Sequence, residues 1–196
     1  MRKLRLCIVG DELVAGSGDP RALGWTGRVL ARTAIPSNSH VFTLARPGET
    51  TAQLAARWEA EAYPRFVEDA DNRLIVGLGV ADVEAGLSTA RTRLALANIA
   101  DIALSKHVSV LMVGPPPLRS SDTRQLEAVS DAAREVCDRR QIPFIDTYTP
   151  LASHDQWHDD LVMSENGLPS QAGYGLLAWI VLHSGWFDWI GLDSRA

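Results

Sequence analysis

A chain of 196 residues, 46% hydrophobic and 22% charged, is long enough to bury a full core as one soluble domain spanning residues 1–196. Its net charge of −5 excludes a basic footprint for nucleic acid, and no apolar run is long enough to span a bilayer. The basic start, Arg2, Lys3 and Arg5, precedes only the short apolar run Leu6–Val9, too short for a signal peptide. A cytoplasmic location is therefore expected, with Cys7 and Cys137 as buried, reduced thiols.

In chain order, Leu6–Val9 reads as a buried strand that stops at Gly10, before the acidic pair Asp11-Glu12. Ala22–Arg32 has helical apolar spacing, and His40–Ala45 is a β-branched and aromatic strand. Thr50 or Thr51 is placed to cap a helix over 52–61. Arg73–Leu78 is a third strand, 89–104 a long helix, and Val108–Val113 a fourth strand stopped by Gly114 and three prolines. Asp122 opens a helix to Arg140, and Pro143–Asp146 is the fifth strand. Leu151–Leu168 reads as irregular, and a last helix covers 171–182.

Strands alternating with helices predict an α/β fold, a three-layer α/β/α sandwich on a parallel five-stranded sheet of order 2-1-3-4-5. In such a sheet the loops after the strands gather at one rim. That rim receives Glu12, Gly48, Ala81-Asp82 and the segment Glu165–Pro169.

These blocks carry a resemblance. Gly10-Asp11-Glu12-Leu13 resembles the Gly-Asp-Ser-Leu signature of the SGNH (GDSL-type) esterases and lipases, with Glu12 at the serine nucleophile. Gly48 in Pro47-Gly48-Glu49-Thr50 resembles the family's oxyanion-hole glycine. Gly79-Val80-Ala81-Asp82 resembles Gly-x-Asn-Asp, with Ala81 at the asparagine. Glu165 to Tyr174 aligns with the Asp-x-x-His-Pro block, placing Glu165 at the aspartate and Leu168 at the histidine. The resemblance implies the flavodoxin-like SGNH fold and descent from ester-bond hydrolases. It also implies a triad that has lost its nucleophile, its base and one oxyanion donor, since serine esterases need an alcohol activated by a base.

Three readings compete for Glu12: a carboxylate nucleophile or general base, a ligand for a cation or amine, and a residue that either sits on the rim with no chemistry or fills the old pocket with a hydrogen bond to neighbouring amides. Glu12, Glu165 and His158 are the candidate catalytic residues, and Gly48, Ala81, Asp82 and Leu168 the candidate pocket. His158, flanked by Asp159, is a substitute base or a solvated residue, and His154, Asp155, His158 and Asp159 form too thin a set for a metal site. Ser17, between glycines, is a displaced nucleophile or a turn residue. No metal or cofactor is expected. The function these residues predict is a silent esterase or a small-ligand binder. The alternatives are an altered carboxylate-based hydrolase and an interaction protein. The last would use the aromatic tail, with Trp186, Phe187 and Trp189 either packed on the sheet or forming a homodimer surface.

Overall fold

The computed structural model describes residues 3–119 and 122–195, so Arg2 of the basic start lies outside the described residues. Five strands run β1 (Lys3–Gly10), β2 (His40–Ala45), β3 (Ala70–Gly77), β4 (Ser109–Val113) and β5 (Phe144–Ile145). All pair in parallel, in the order β2-β1-β3-β4-β5. Short helices α1 (Glu12–Ala15) and α2 (Gly24–Ala31) follow β1, and α3 (Thr51–Ala62) follows β2. Next come α4 (Ala81–Glu84), α5 (Thr89–Ser105) and α6 (Thr123–Asp138), then α7 (Tyr148–Leu151), α8 (Asp155–Met163), α9 (Gln171–Val181) and α10 (Phe187–Ile190).

Period-two alternation builds two cores from one sheet. On β1, Leu6 and Ile8 point to one face, where they join Trp25, Tyr174, Leu177 and Trp186. Cys7 and Val9 point to the other, among Leu54, Trp58, Leu96 and Ile99. Both cysteines are free thiols. Burial pushes Cys7 up to about 11 and Cys137 up to about 12, so neither is a thiolate nucleophile at neutral pH.

The helix starts follow local chemistry. Thr50, rather than Thr51, caps α3: its hydroxyl accepts from the Gln53 amide while the Gln53 side chain accepts from the Thr50 amide. Asp122 caps α6 through the amides of Arg124 and Gln125. Two expectations are corrected. Residues 151–168 are not irregular, because α8 occupies Asp155–Met163 and drives Trp157 and Leu161 into the core. His154, at its start, offers no side-chain cap, so the usual helix signal is missing from the sequence.

The second correction is Trp186, which does not contribute to a partner surface. Trp186 is fully buried, donates its indole N–H to the Thr33 hydroxyl at 2.9 Å, and packs against Trp189. Trp189 and Phe187 are half-buried, with the Arg73 guanidinium over the Trp189 ring. Residues 193–195 then pair with 32–34 through an isolated antiparallel bridge. A side chain committed to the core in this way cannot face a second subunit. Trp179, earlier in the same stretch, is exposed and stacks on His183 at 4.3 Å. Among the described residues, no helix is long and apolar enough to cross a membrane.

Candidate active site

Strand register assembles the rim. Gly10 lies opposite Ala45, and the Arg46 amide donates to the Gly10 carbonyl, so the turn after β2 stands beside the turn after β1. Gly10 has φ +153°, and a Cβ there would come within 2.5 Å of the Gly77 carbonyl. Only glycine lets the chain turn so close to β3. Asp11 then caps α1, accepting from the Leu13 amide at 3.0 Å, which sets Glu12 as the first helical residue.

The half-buried Glu12 reaches across to the neighbouring turn. Its Oε2 accepts from the Gly48 backbone amide at 2.7 Å, a contact between residues 36 apart in sequence. The carboxylate thus sits on the amide that the resemblance assigns to the oxyanion hole. An ionised carboxylate accepting from an amide makes one of the stronger hydrogen bonds available.

Beneath this contact lies a framework of buried carboxylates. Asp82 accepts from the Thr51 amide at 2.7 Å, the Thr51 hydroxyl at 2.6 Å and the Thr92 hydroxyl at 2.5 Å. It ties α3, α4 and α5 together and is only 3% exposed. Glu49 is buried in a two-point pair with Arg57, at 2.6 and 2.5 Å, and Arg57 also donates to the Leu44 carbonyl. Ala81, at the start of α4, presents only a methyl group.

Asp11 is the residue the sequence reading passed over. Only 1% of it is exposed, and its Oδ2 has no hydrogen-bond partner among the described residues. Oδ2 lies where a Cβ on Gly79 would stand, 1.5 Å from that position, so the glycine is required by close approach. Desolvation, with the nearby charges of Glu12 and Glu49, raises the Asp11 carboxyl to about 8 against the pull of the backbone amides. Asp11 therefore keeps its proton at neutral pH. Its signal in the sequence was the pairing of an acid after Gly10 with glycine at 79, legible only if the two turns are known to touch.

The last block contributes packing. The loop before α9 folds on Asn166, whose Oδ1 accepts from the Ser164 hydroxyl and the Leu168 amide. Leu168 and Pro169 lie against Gly18, and Ser170 donates through its amide and hydroxyl to Asp160. Tyr174 passes under this loop to donate to the Ser17 carbonyl at 2.7 Å, fixing Ser17 in its turn. Glu165 is exposed and makes no hydrogen bond or ion pair among the described residues. His158 does not join Glu12: its Nε2 bonds the Ala152 carbonyl at 2.8 Å, and it lines a separate cavity with Pro117 and Tyr148. Among the described residues no imidazole hydrogen-bonds Glu12, and no group of three or more His, Cys, Asp or Glu could hold a metal ion.

A parallel 2-1-3-4-5 sheet with this rim, glycine-led turn after β1 and amide-presenting turn after β2, defines an SGNH-type hydrolase fold. Residues 8–176 match the GDSL-like Lipase/Acylhydrolase family, and the chain belongs to it. Solved structures agree on the fold. The chain is similar to a lipase/acylhydrolase from Enterococcus faecalis, at 22% identity and TM-score 0.75, with both chains covered in full. It is similar to a G-D-S-L lipolytic protein from Veillonella parvula, at 21% identity and TM-score 0.75, over 91% of this chain and 96% of that one. The psychrotrophic esterase EstA from Pseudoalteromonas, solved inhibited by monoethylphosphonate, matches at 15% identity and TM-score 0.70, over 95% and 98% of the two chains. No curated protein sequence matches the chain.

Proposed function

We propose that this protein is an SGNH-fold member whose serine-esterase chemistry is silent, with the old site kept as a polar pocket closed by its own carboxylate. The observation that carries the reading is the 2.7 Å hydrogen bond from the Gly48 amide to Glu12 Oε2. An oxyanion donor must be free to receive charge developing on a substrate oxygen. Here it already serves a resident anion, which a neutral ester carbonyl cannot readily displace. The nucleophilic hydroxyl is absent at position 12 and the base at position 168, and triad groups act as a unit. Attack on an ester by Glu12 itself would give an anhydride, and among the described residues no second acid–base side chain hydrogen-bonds Glu12 to help resolve that intermediate. A ligand able to replace Glu12 on the Gly48 amide would be a small anion or a strong acceptor.

The test is aryl-acetate hydrolysis by the natural protein and a graded series of variants. The natural protein should show little turnover, and Glu12→Ser alone should not rescue it, because Leu168 cannot take the hydroxyl proton. Adding Leu168→His should begin to restore turnover, with Glu165 available to orient the imidazole. Ala81→Asn should raise it further, one oxyanion donor being typically worth about a hundredfold to a thousandfold. Robust turnover by the natural protein, abolished by Glu12→Gln, would overturn the reading and establish carboxylate-based hydrolysis.

A further inference from the structure

A second pocket lies where the loop after β4 meets α7 and α8. It encloses about 450 Å³, within the roughly 300–1,000 Å³ usual for small-molecule sites. Its walls include Pro117, Leu118, Tyr148, Leu161 and Val162, and Glu12 and Gly48 are not among its lining residues. Leu118 and Leu161 are buried, whereas Val162 is 57% exposed at the mouth.

The walls are held in place before any ligand arrives. Trp157 donates its indole N–H to the Pro117 carbonyl at 2.7 Å, and Tyr148 donates its hydroxyl to the Thr123 carbonyl at 2.8 Å. Thr147 donates to the Gly114 carbonyl at 2.7 Å, anchoring the proline run that leads into the pocket. Rigid walls reduce the ordering cost of binding.

Two nitrogen-bearing side chains complete the lining. Arg119 is exposed and makes no ion pair or hydrogen bond among the described residues. The nearest acid in sequence, Asp122, is engaged by the Arg124 and Gln125 amides and the Gln125 side chain. His158 bonds the Ala152 carbonyl through Nε2. A carbonyl only accepts, so Nε2 carries the hydrogen and Nδ1 is the nitrogen left for a ligand. An uncommitted guanidinium beside an apolar cavity suits a planar, singly charged acceptor that takes two N–H donors at once.

We propose that this cavity binds a small carboxylic acid with an apolar body, its carboxylate paired with Arg119 and its body against Leu118, Leu161 and Val162. One negative charge fits better than two, because the charges of Glu127 and Asp122 already act on Tyr148. Neither Glu12 nor Gly48 lines this cavity.

The experiment is an amide-shift NMR titration with 4-phenylbutanoate, with 4-phenylbutan-1-ol and 4-phenylbutylamine in parallel. The carboxylate should give saturable shifts centred on Leu118, Tyr148 and Leu161 and bind about tenfold or more tighter than the alcohol. Arg119→Gln should remove that advantage, and Arg119→Glu should reverse the preference towards the amine. Arg119 is exposed, so both variants should fold, which an unchanged amide spectrum away from the pocket would verify. Equal binding of carboxylate and alcohol, an unaltered preference in the arginine variants, or no saturable binding at millimolar concentration would each overturn the proposal.

Discussion

The two sides of the candidate site have kept different things. On the β1–β2–β3 side every turn is hydrogen-bonded to a neighbour: Gly48 to Glu12, Thr51 and Thr92 to Asp82, Glu49 to Arg57. On the other side, the loop before α9 holds itself through Asn166 and Asp160, and leaves Glu165 in solvent. The first side is made of strand ends and backbone amides, which the sheet positions whatever side chain follows Gly10. The second is a loop whose Leu168 is apolar and whose Glu165 is exposed, and among the described residues none of its side chains hydrogen-bonds Glu12. The placement of the Gly48 amide is therefore set by the scaffold and not by the side chain that stands at position 12.

The largest effect expected from this contrast is in pH dependence. The Asp11 carboxyl is raised from 3.8 to about 8 in the folded protein. Between those values the unfolded chain has released its proton while the folded one still holds it, so stability falls as pH rises. The contribution is fully present below about pH 4 and is lost by about pH 8, with a slope of up to about 1.4 kcal/mol per pH unit. Urea unfolding across this range should show the decline, and Asp11→Asn should flatten it. An identical slope in the variant would break the assignment.

Asp82→Ala should follow, costing about 3 kcal/mol, because it leaves the Thr51 amide and two buried hydroxyls without an acceptor. Denaturant midpoints measure it, and the Gly48 amide shift should report the loosened turn. Glu12→Gln, which weakens a charge-assisted bond to a neutral one, should cost about 1 kcal/mol or less and move the same amide resonance. Glu165→Gln should change stability by no more than about 0.5 kcal/mol. A loss from Glu165→Gln comparable with that from Asp82→Ala would erase the distinction between the two sides.

The same contrast explains which parts of the molecule could be read early. Five short apolar runs, the first stopped at Gly10 and the fourth at Gly114, marked the strands, and their alternation with helices pointed to the 2-1-3-4-5 order. Thr50 or Thr51, and Asp122, marked helix starts because a cap is a local bond, made within three residues. Helix α8 escaped notice because His154 supplies no cap, and its apolar face, Trp157 and Leu161, is a helix face only once Pro117 and the core receive it.

By itself the sequence determined the fold, the chain order of the blocks, and the absence of serine, histidine and asparagine from three of them. Only the tertiary structure decided what the remaining groups do. Glu12 was open to three readings until β1 and β2 brought the Gly48 amide within 2.7 Å. Asp11 looked like an ordinary turn acid until Gly79 closed over its Oδ2. Trp186 and Trp179 are the same residue type a few positions apart, yet one is buried and the other 56% exposed. Local patterns encode secondary structure because their bonds span a few residues. Burial, charge and hydrogen-bond partners are set by residues tens of positions away, which meet only when the sheet has formed.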